Sequence, residues 1–288
     1  MALITVNNLC KTYPKFFLDN VSFTLDQGYI MGFIGRNGAG KTTTLKAMMG
    51  LIHSDGGEVV FDGIRFKDNE NACKQQIGFV LGGVDYYPKK KLRTITDVTK
   101  RFYPGWDDEV YYSLLKRFDL DQEKRIDQLS QGMRVKYSLA LALSHHAKML
   151  ILDEPTSGLD PVSRDDLLDL FQQLIEDGDK SILFSTHITA DLERCADYIT
   201  YIRDGKILFS EDRETFLGRY LDVSGKADQL TPELESQLIG VRRHRFGFEG
   251  LIPTEANLDL SQLSTSKATL DSIMIHLERG YANEKSSL

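Results

Sequence analysis

The sequence has little of several things, and each shortage closes off a class of protein. It contains one tryptophan and only three cysteines in 288 residues. Cys10, Cys73 and Cys195 lie far apart, odd in number and without CxxC spacing. Neither a disulfide framework nor a zinc site is expected, and a reducing cytosol is. Apolar runs are short, and none approaches the roughly 20 residues that a bilayer span needs. The opening "MALITVNNLC" has no basic stretch followed by an apolar one, so no secretory leader is expected. Positive charge is in deficit, with 35 Lys and Arg against 42 Asp and Glu and a net charge of −7. That balance argues against broad nucleic-acid binding, which rests on phosphate neutralisation, and no nucleic-acid partner is expected. What remains is 41% hydrophobic and 27% charged. This is ordinary globular composition, with length for one large domain and a smaller one.

Short β-rich segments come first: "ALITVNNL", "NVSFTL", "GYIMGFIG" and "GEVVFDGIRF", broken by Gly, Asn and Asp. A helix is expected over residues 40 to 51 and another short strand at "QIGFVLGG". From about Ile95 to Ala147 the pattern is helical, as in "DDEVYYSLLKRFDL" with acids in its first turn. "KMLILDEP" and "SILFSTH" are continuous apolar runs, the pattern of buried parallel strands. Between them "PVSRDDLLDLFQQLIEDG" reads as a helix with Pro near its start and Gly after its end. "DYITYIRDGKILFSE" reads as a hairpin around Asp204-Gly205. After about Phe216 the signals weaken to a helix in "TPELESQLIG", a basic cluster "RRHR" and a last helix in "TLDSIMIHLERG". The expected organisation is an α/β nucleotide-binding domain over 1–216, interrupted by helices at about 95–147, and a small C-terminal α/β extension over 217–288.

Two stretches carry anion chemistry. "GRNGAGKTT" follows a strand, opens a helix and fits G-x-x-x-x-G-K-[ST] from Gly35 to Thr42. Asn37, Gly38, Ala39 and Gly40 would offer backbone N–H groups to phosphate oxygens. Lys41 would neutralise the β- and γ-phosphates, Thr42 would bind Mg²⁺ and Thr43 would reach the α-phosphate. "LSQGM", from Leu129 to Met133, places Ser130, Gln131 and Gly132 before a long helical pattern, a capping hydroxyl ahead of free helix N–H groups. In "MLILDEP", Asp153 would hold Mg²⁺ and Glu154 would orient or deprotonate an attacking water. Each acid would alternatively cap a helix. His187, closing "SILFSTH", is a candidate γ-phosphate contact, with a structural histidine as the plainer alternative.

Over about residues 1 to 215 the chain resembles the ATP-binding subunit of ABC transporters. The resemblance rests on five elements in order: "GRNGAGKTT", "LSQGM", "LILDEP", "SGLD" and "STH". It implies a P-loop ABC ATPase core with an antiparallel β subdomain, an inserted helical subdomain and a C-terminal appendage. It implies that Ser130, Gln131 and Gly132 act on the γ-phosphate of ATP held by a second ATP-binding subunit, identical or different. Tyr13 stands where the family stacks an aromatic on adenine, with a half-buried strand tyrosine as the plainer alternative, and Asp160 where an aspartate communicates across the dimer, a role compatible with capping the helix ahead of "PVSRDDLL". A separate integral membrane permease is implied, which places the chain at the cytoplasmic face of the membrane. "RFYPGWDDEVYYSLLKRFDL" and "TLDSIMIHLERG" are similar to segments of bacterial exporter ATPases, such as phenol-soluble modulin exporters and those encoded beside GntR-type regulators. Export of a peptide or toxin is the corresponding expectation.

The match breaks at one place. Family members carry a glutamine after the strand equivalent to "IGFV"; here alignment puts Gly82 there, with Asp85 as a nearby substitute. This motivates a second reading, a non-hydrolysing regulator. A third, a soluble ABC-type ATPase acting on ribosomes or DNA, is disfavoured by the single ATP module and the absence of sustained heptads between Lys41 and Asp153. Lys89 to Arg93, "KKKLR", is either a solvated patch or a grip on a membrane partner's helix. Trp106 and Arg242 to Arg245 read as loop packing and a solvated patch.

Overall fold

The structure of the chain, a computed structural model, describes residues 1–81, 87–256 and 258–286, with no side chains described for 283–286. Two compact units emerge, Met1–Ser210 and Glu211–Leu288. The division falls a few residues before the 216/217 boundary read from the sequence. Arg219 pairs with Glu211 and its carbonyl accepts from the N–H of Thr254 at 2.8 Å, contacts that lie within the second unit.

In the first unit, β1 (Ala2–Tyr13), β2 (Phe16–Asp26), β4 (Gly56–Phe61) and β5 (Ile64–Arg65) form an antiparallel sheet in the order β2-β1-β4-β5. A second sheet combines β3 (Ile30–Ile34), β6 (Ile77–Leu81), β7 (Met149–Asp153), β8 (Ser181–Thr186), β9 (Tyr198–Arg203) and β10 (Lys206–Asp212). Its order is β10-β9-β3-β8-β7-β6, and the five strands from β9 to β6 are parallel. The continuous apolar runs are explained by burial: every residue of β3, β7 and β8 is buried. One apolar cluster joins both sheets, bringing Leu9, Val21 and Phe61 together with Phe33, Leu45, Ile151 and Leu183.

Helices α1 (Lys41–Met48), α2 (Glu70–Gln75), α6 (Pro161–Ile175) and α7 (Thr189–Cys195) accompany the strands. The inserted segment supplies α3 (Leu92–Thr99), α4 (Asp108–Arg117) and α5 (Gln131–Leu143). A buried hydroxyl cluster holds these three together. Thr96 Oγ1 lies 2.8 Å from the Tyr111 hydroxyl and 2.9 Å from that of Tyr137, which donates to Leu92 O at 3.0 Å. Burial pushes the Tyr111 phenol up to about 12, so its hydroxyl stays protonated.

The second unit contains more strand than its sequence suggests. After α8 (Arg213–Gly218), β11 (Tyr220–Gly225), β12 (Ile239–His244), β13 (Gly247–Pro253) and β14 (Ser264–Lys267) form an antiparallel sheet in the order β12-β13-β11-β14. Helix α9 (Pro232–Gln237) takes only the first half of "TPELESQLIG", and α10 (Leu270–Ser286) closes the unit. The cluster "RRHR" is strand and turn: Arg242 pairs with Glu249 at 3.0 Å and Arg243 with Glu235 at 2.6 Å. Short strands with polar side chains give no alternating signal, which is why they escape a reading by pattern.

The β9–β10 hairpin turns at Asp204-Gly205, both with positive φ (46° and 78°), as its sequence demands. Gly205 N donates to Ala39 O at 2.9 Å, so this turn braces the loop that precedes α1. A Cβ on Gly205 would lie 1.9 Å from Phe17 O. Gly205→Ala is therefore expected to destabilise the fold by about 1–3 kcal/mol, the range for overpacking a filled site. Urea denaturation checks this: the midpoint should fall with an unchanged slope, and an unmoved midpoint would refute the constraint.

Candidate active site

The carboxyl ends of the parallel strands meet at one edge, where α/β sheets place ligands. Register sets the alignment: Ile34 pairs with Thr186, and Asp153 with Ser185. The loop after β3 therefore faces the acids after β7 and the histidine after β8. An open cleft of about 670 Å³ lies there, lined by Tyr13, Lys15, Phe16, Arg36, Asn37, Gly38, Gly40, Lys41, Thr42, Thr43, Glu154, Ser157 and His187. Ala39 does not line it; it is buried beneath the loop, where its carbonyl meets the Gly205 turn. Tyr13, at the end of β1, is about two-fifths exposed and near Phe16, with ring centroids 6.5 Å apart.

Gly40 caps α1 with φ 114°, and a Cβ there would meet the Phe16 ring at 2.8 Å. The first N–H groups of α1, as at any helix start, have no intrahelical acceptors, and Lys41, Thr42 and Thr43 line the cleft. Lys41, nine-tenths buried, donates from Nζ to Gly35 O at 2.6 Å and Arg36 O at 3.3 Å and lies 3.3 Å from Glu154 Oε1. Glu154 Oε2 is 2.7 Å from His187 Nδ1. One carboxylate thus bridges a lysine and a histidine.

Asp153, buried, accepts from Thr42 Oγ1 at 2.7 Å and from Ser185 Oγ at 2.6 Å. Ser185 also accepts through Oγ from the Glu154 N–H at 3.0 Å, fixing the backbone of the next acid. Glu154 has a φ of 52°, an uncommon value for a residue with a side chain. Such strain persists where surrounding contacts impose it, and here those contacts aim the carboxylate into the cleft. No group of three or more His, Cys, Asp or Glu suited to a metal exists among the described residues. Mg²⁺ does not need one, since it takes one or two protein oxygens and completes its shell with water and phosphate. The adjoining Thr42 hydroxyl and Asp153 carboxylate fit that donor set.

Ser130, Gln131, Gly132 and Asp160 do not line this cleft; they gather at a second place. Ser130 caps α5, accepting from Met133 N at 3.3 Å, a bond that uses a lone pair and not its O–H proton. A Cβ on Gly132 would sit 3.5 Å from Leu159 and 3.6 Å from Ser163, and one on Gly158 3.5 Å from the Gln131 side chain. The α5 N-terminus and the segment entering α6 are thus in contact. Asp160 caps α6, accepting from Val162 N, Ser163 N and Ser163 Oγ. The Ser163 hydroxyl, chiefly, holds its carboxyl below the usual range. The capping roles weighed for Ser130 and Asp160 are both realised, and neither prevents contact with a partner. Gly82 and Asp85 lie outside the described residues.

Comparison with known proteins decides what this arrangement belongs to. A family profile described as ABC transporter matches residues 18–157. An ABC transporter ATP-binding protein of Bacillus subtilis, YtrB, is 32% identical over 206 residues, spanning 72% of this chain and 70% of its own. The chain belongs to the ABC transporter ATP-binding family. It is an ATPase and an ATP-binding subunit of an ABC transporter. The lantibiotic transport ATP-binding protein SrtF of Streptococcus pyogenes is 30% identical, with 73% of this chain and 91% of that one covered. Among solved structures, an ATP-binding subunit of an ABC transporter matches with a TM-score of 0.67 and 28% identity over 74% of this chain and 91% of the other. A dimeric cassette bound to ADP and phosphate shares the fold, with a TM-score of 0.65 at 24% identity over 73% of this chain and 98% of that one.

The ABC cassette's motif residues were legible from local sequence, but several of their supports were not. Ser185, which lies in "STH" but was given no role there, and Thr156, Arg164 and Asp191, which belong to no motif read from the sequence, contact the acids or the turns beside them. The one available signal is a pair of hydroxyls, Ser185-Thr186, ending an otherwise apolar strand. Ser185→Ala would leave Asp153 Oδ1 without its hydroxyl donor, with Thr42 still donating to Oδ2. It should cost about 1–3 kcal/mol of stability, the penalty for an unsatisfied buried polar group. Chemical denaturation of the two proteins side by side measures it. A variant as stable as the parent would show that Ser185 is dispensable to Asp153.

Proposed function

We propose that this cassette binds Mg²⁺-ATP in the Gly35–Thr43 cleft, closes on a second ATP-binding subunit, and drives export through a separate membrane permease. The observation that carries this is the Lys41–Glu154–His187 chain of contacts at the mouth of the phosphate loop. A γ-phosphate arriving at the α1 N-terminus carries more negative charge than one carboxylate and competes with Glu154 for Lys41. Released from the lysine, Glu154 Oε1 can accept a proton from water, while His187 keeps the other oxygen in place. Bound Mg²⁺ supplies charge neutralisation of the phosphates, held by Thr42 and Asp153. Tyr13 offers an aromatic face to adenine, and Thr43 a hydroxyl to the α-phosphate.

Ser130 to Gly132, away from the chain's own cleft, are free to act on ATP held by the other subunit. A second anion site that its own chain does not fill supports closure of two subunits in opposite orientation, with Asp160 at the same contact. Closure then has contacts in the ATP state that the open state lacks, as a ligand-driven switch requires. Both halves are present in one chain, so a homodimer is chemically sufficient and a different, paired subunit equally suitable.

No described helix is long and apolar enough to cross a membrane, which supports a separate permease. For its docking place we favour the groove of about 230 Å³ on the helical insert, lined by Tyr87, Lys90, Thr94, Ile95, Val98 and Thr99. Tyr87 and Val98 are more than half exposed there, an apolar patch beside Lys90. Lys91 and Arg93 both pair with Glu123, at 2.9 and 3.0 Å. This placement holds the chain at the cytoplasmic face of the membrane. Export of a peptide-like compound is supported by the related bacitracin transport protein of Bacillus licheniformis, 31% identical over 72% of this chain and 68% of its own, and by the lantibiotic relative.

Glu154→Gln preserves size and the bond to His187 and removes the base. ATP turnover should fall by about 10²- to 10⁴-fold, the range for a general base, while ATP affinity is retained. Phosphate release and equilibrium nucleotide binding measure the two. Turnover within a few-fold of the parent would reject Glu154 as the base.

A further inference from the structure

Asp191 lies on α7, outside every motif, yet its side chain is fully buried. A buried carboxylate is costly unless paired and hydrogen-bonded. Its partners come from three different parts of the site. Thr156 Oγ1 donates to Oδ2 at 2.6 Å, Thr186 Oγ1 approaches the same oxygen at 3.5 Å, and Arg164 Nε pairs with Oδ1.

Each partner is a short step from a residue assigned above. Thr156 belongs to the turn that Glu154 opens, closed by Ser157 N donating to Glu154 O at 3.2 Å. Thr186 directly precedes His187 and accepts from Ile188 N at 3.0 Å, so it fixes the backbone on both sides of the histidine. Arg164 is one turn into α6, its N–H donating to Asp160 O at 3.0 Å. Its neighbour Ser163 holds the Asp160 carboxylate and faces Gly132.

We propose that Asp191 is a positioning residue that joins the two half-sites of one chain, tying the Asp160–Gly132 face through Arg164 to the Glu154–His187 pair. The inference rests on the roles proposed above for those residues. Its physical basis is that α6 cannot shift against β7 and β8 without unpairing a buried charge, so a change at the Asp160 face must be followed at Glu154 and His187. Stability alone is a weak reason for such a pair, because well-packed apolar residues often serve as well as a buried ion pair.

The test uses the purified full-length protein and four variants: Asp191→Asn, Arg164→Lys, Asp160→Ala and the double Asp160→Ala/Asp191→Asn. Steady-state ATP hydrolysis gives kcat and KM, and a fluorescent ATP analogue gives Kd. Each single variant should lower kcat by about 10-fold with Kd within about twofold. The double should be no slower than the slower single, since residues acting as one unit are not additive. Losses that multiply to about 100-fold, a Kd that weakens in step with kcat, or a normal kcat in Asp191→Asn would overturn the proposal. Should Asp191→Asn fail to fold, Arg164→Lys and its double with Asp160→Ala carry the same expectations. Glu154→Gln, measured alongside, separates the two levels. An active Glu154→Gln would sink the assigned roles, whereas an inactive one beside a normal Asp191→Asn would sink only the junction.

Discussion

The parallel pairing of β7 with β8, Asp153 opposite Ser185, is the constraint on which the site depends. A strand slipped by one residue turns every side chain to the other face, so the register decides whether an acid or an aliphatic group meets the phosphate loop. With the register set, Ser185 serves two neighbours at once, the carboxylate of Asp153 and the N–H of Glu154. The β3–β8 pairing then brings the glycine-rich loop alongside, and Thr42 closes the triangle with Asp153.

Two chains of charge serve the site. One runs Lys41–Glu154–His187 along the wall of the cleft, partly open to water and able to exchange its lysine for a phosphate. The other runs Arg164–Asp191 and has its carboxylate fully buried. The contrast between the two carboxylates matters: Glu154, partly exposed, can change partners at less desolvation cost, while Asp191, fully buried, resists change. A site that must switch needs both kinds, a replaceable contact at the ligand and a fixed one behind it.

The helical insert meets a different demand. Its three helices carry the Ser130 cap and the exposed groove near Tyr87, and they are held by hydroxyl groups as well as by apolar packing. Directional hydrogen bonds between Thr96, Tyr111 and Tyr137 specify how α3, α4 and α5 sit, which apolar contacts alone define less sharply. The second unit has its own apolar cluster around Val223, Leu234, Phe248 and Ile252, independent of the first.

What the sequence alone determined is what lies within a few residues of itself. The phosphate loop, the acidic strand end, the Ser130 and Asp160 caps and the Asp204-Gly205 hairpin are each written in contiguous stretches, because turns, caps and buried runs obey local rules. The strands of the second unit were not legible, since "IGVRRH" and "STSK" are short, polar and without alternation. Only the tertiary structure decided that Ser185 supports Asp153, that Gly132 meets Ser163, and that Asp191 reaches Arg164, Thr156 and Thr186. Those contacts join residues from strands and helices whose pairing is settled by burying shared apolar surface, and no short stretch of the chain contains both partners.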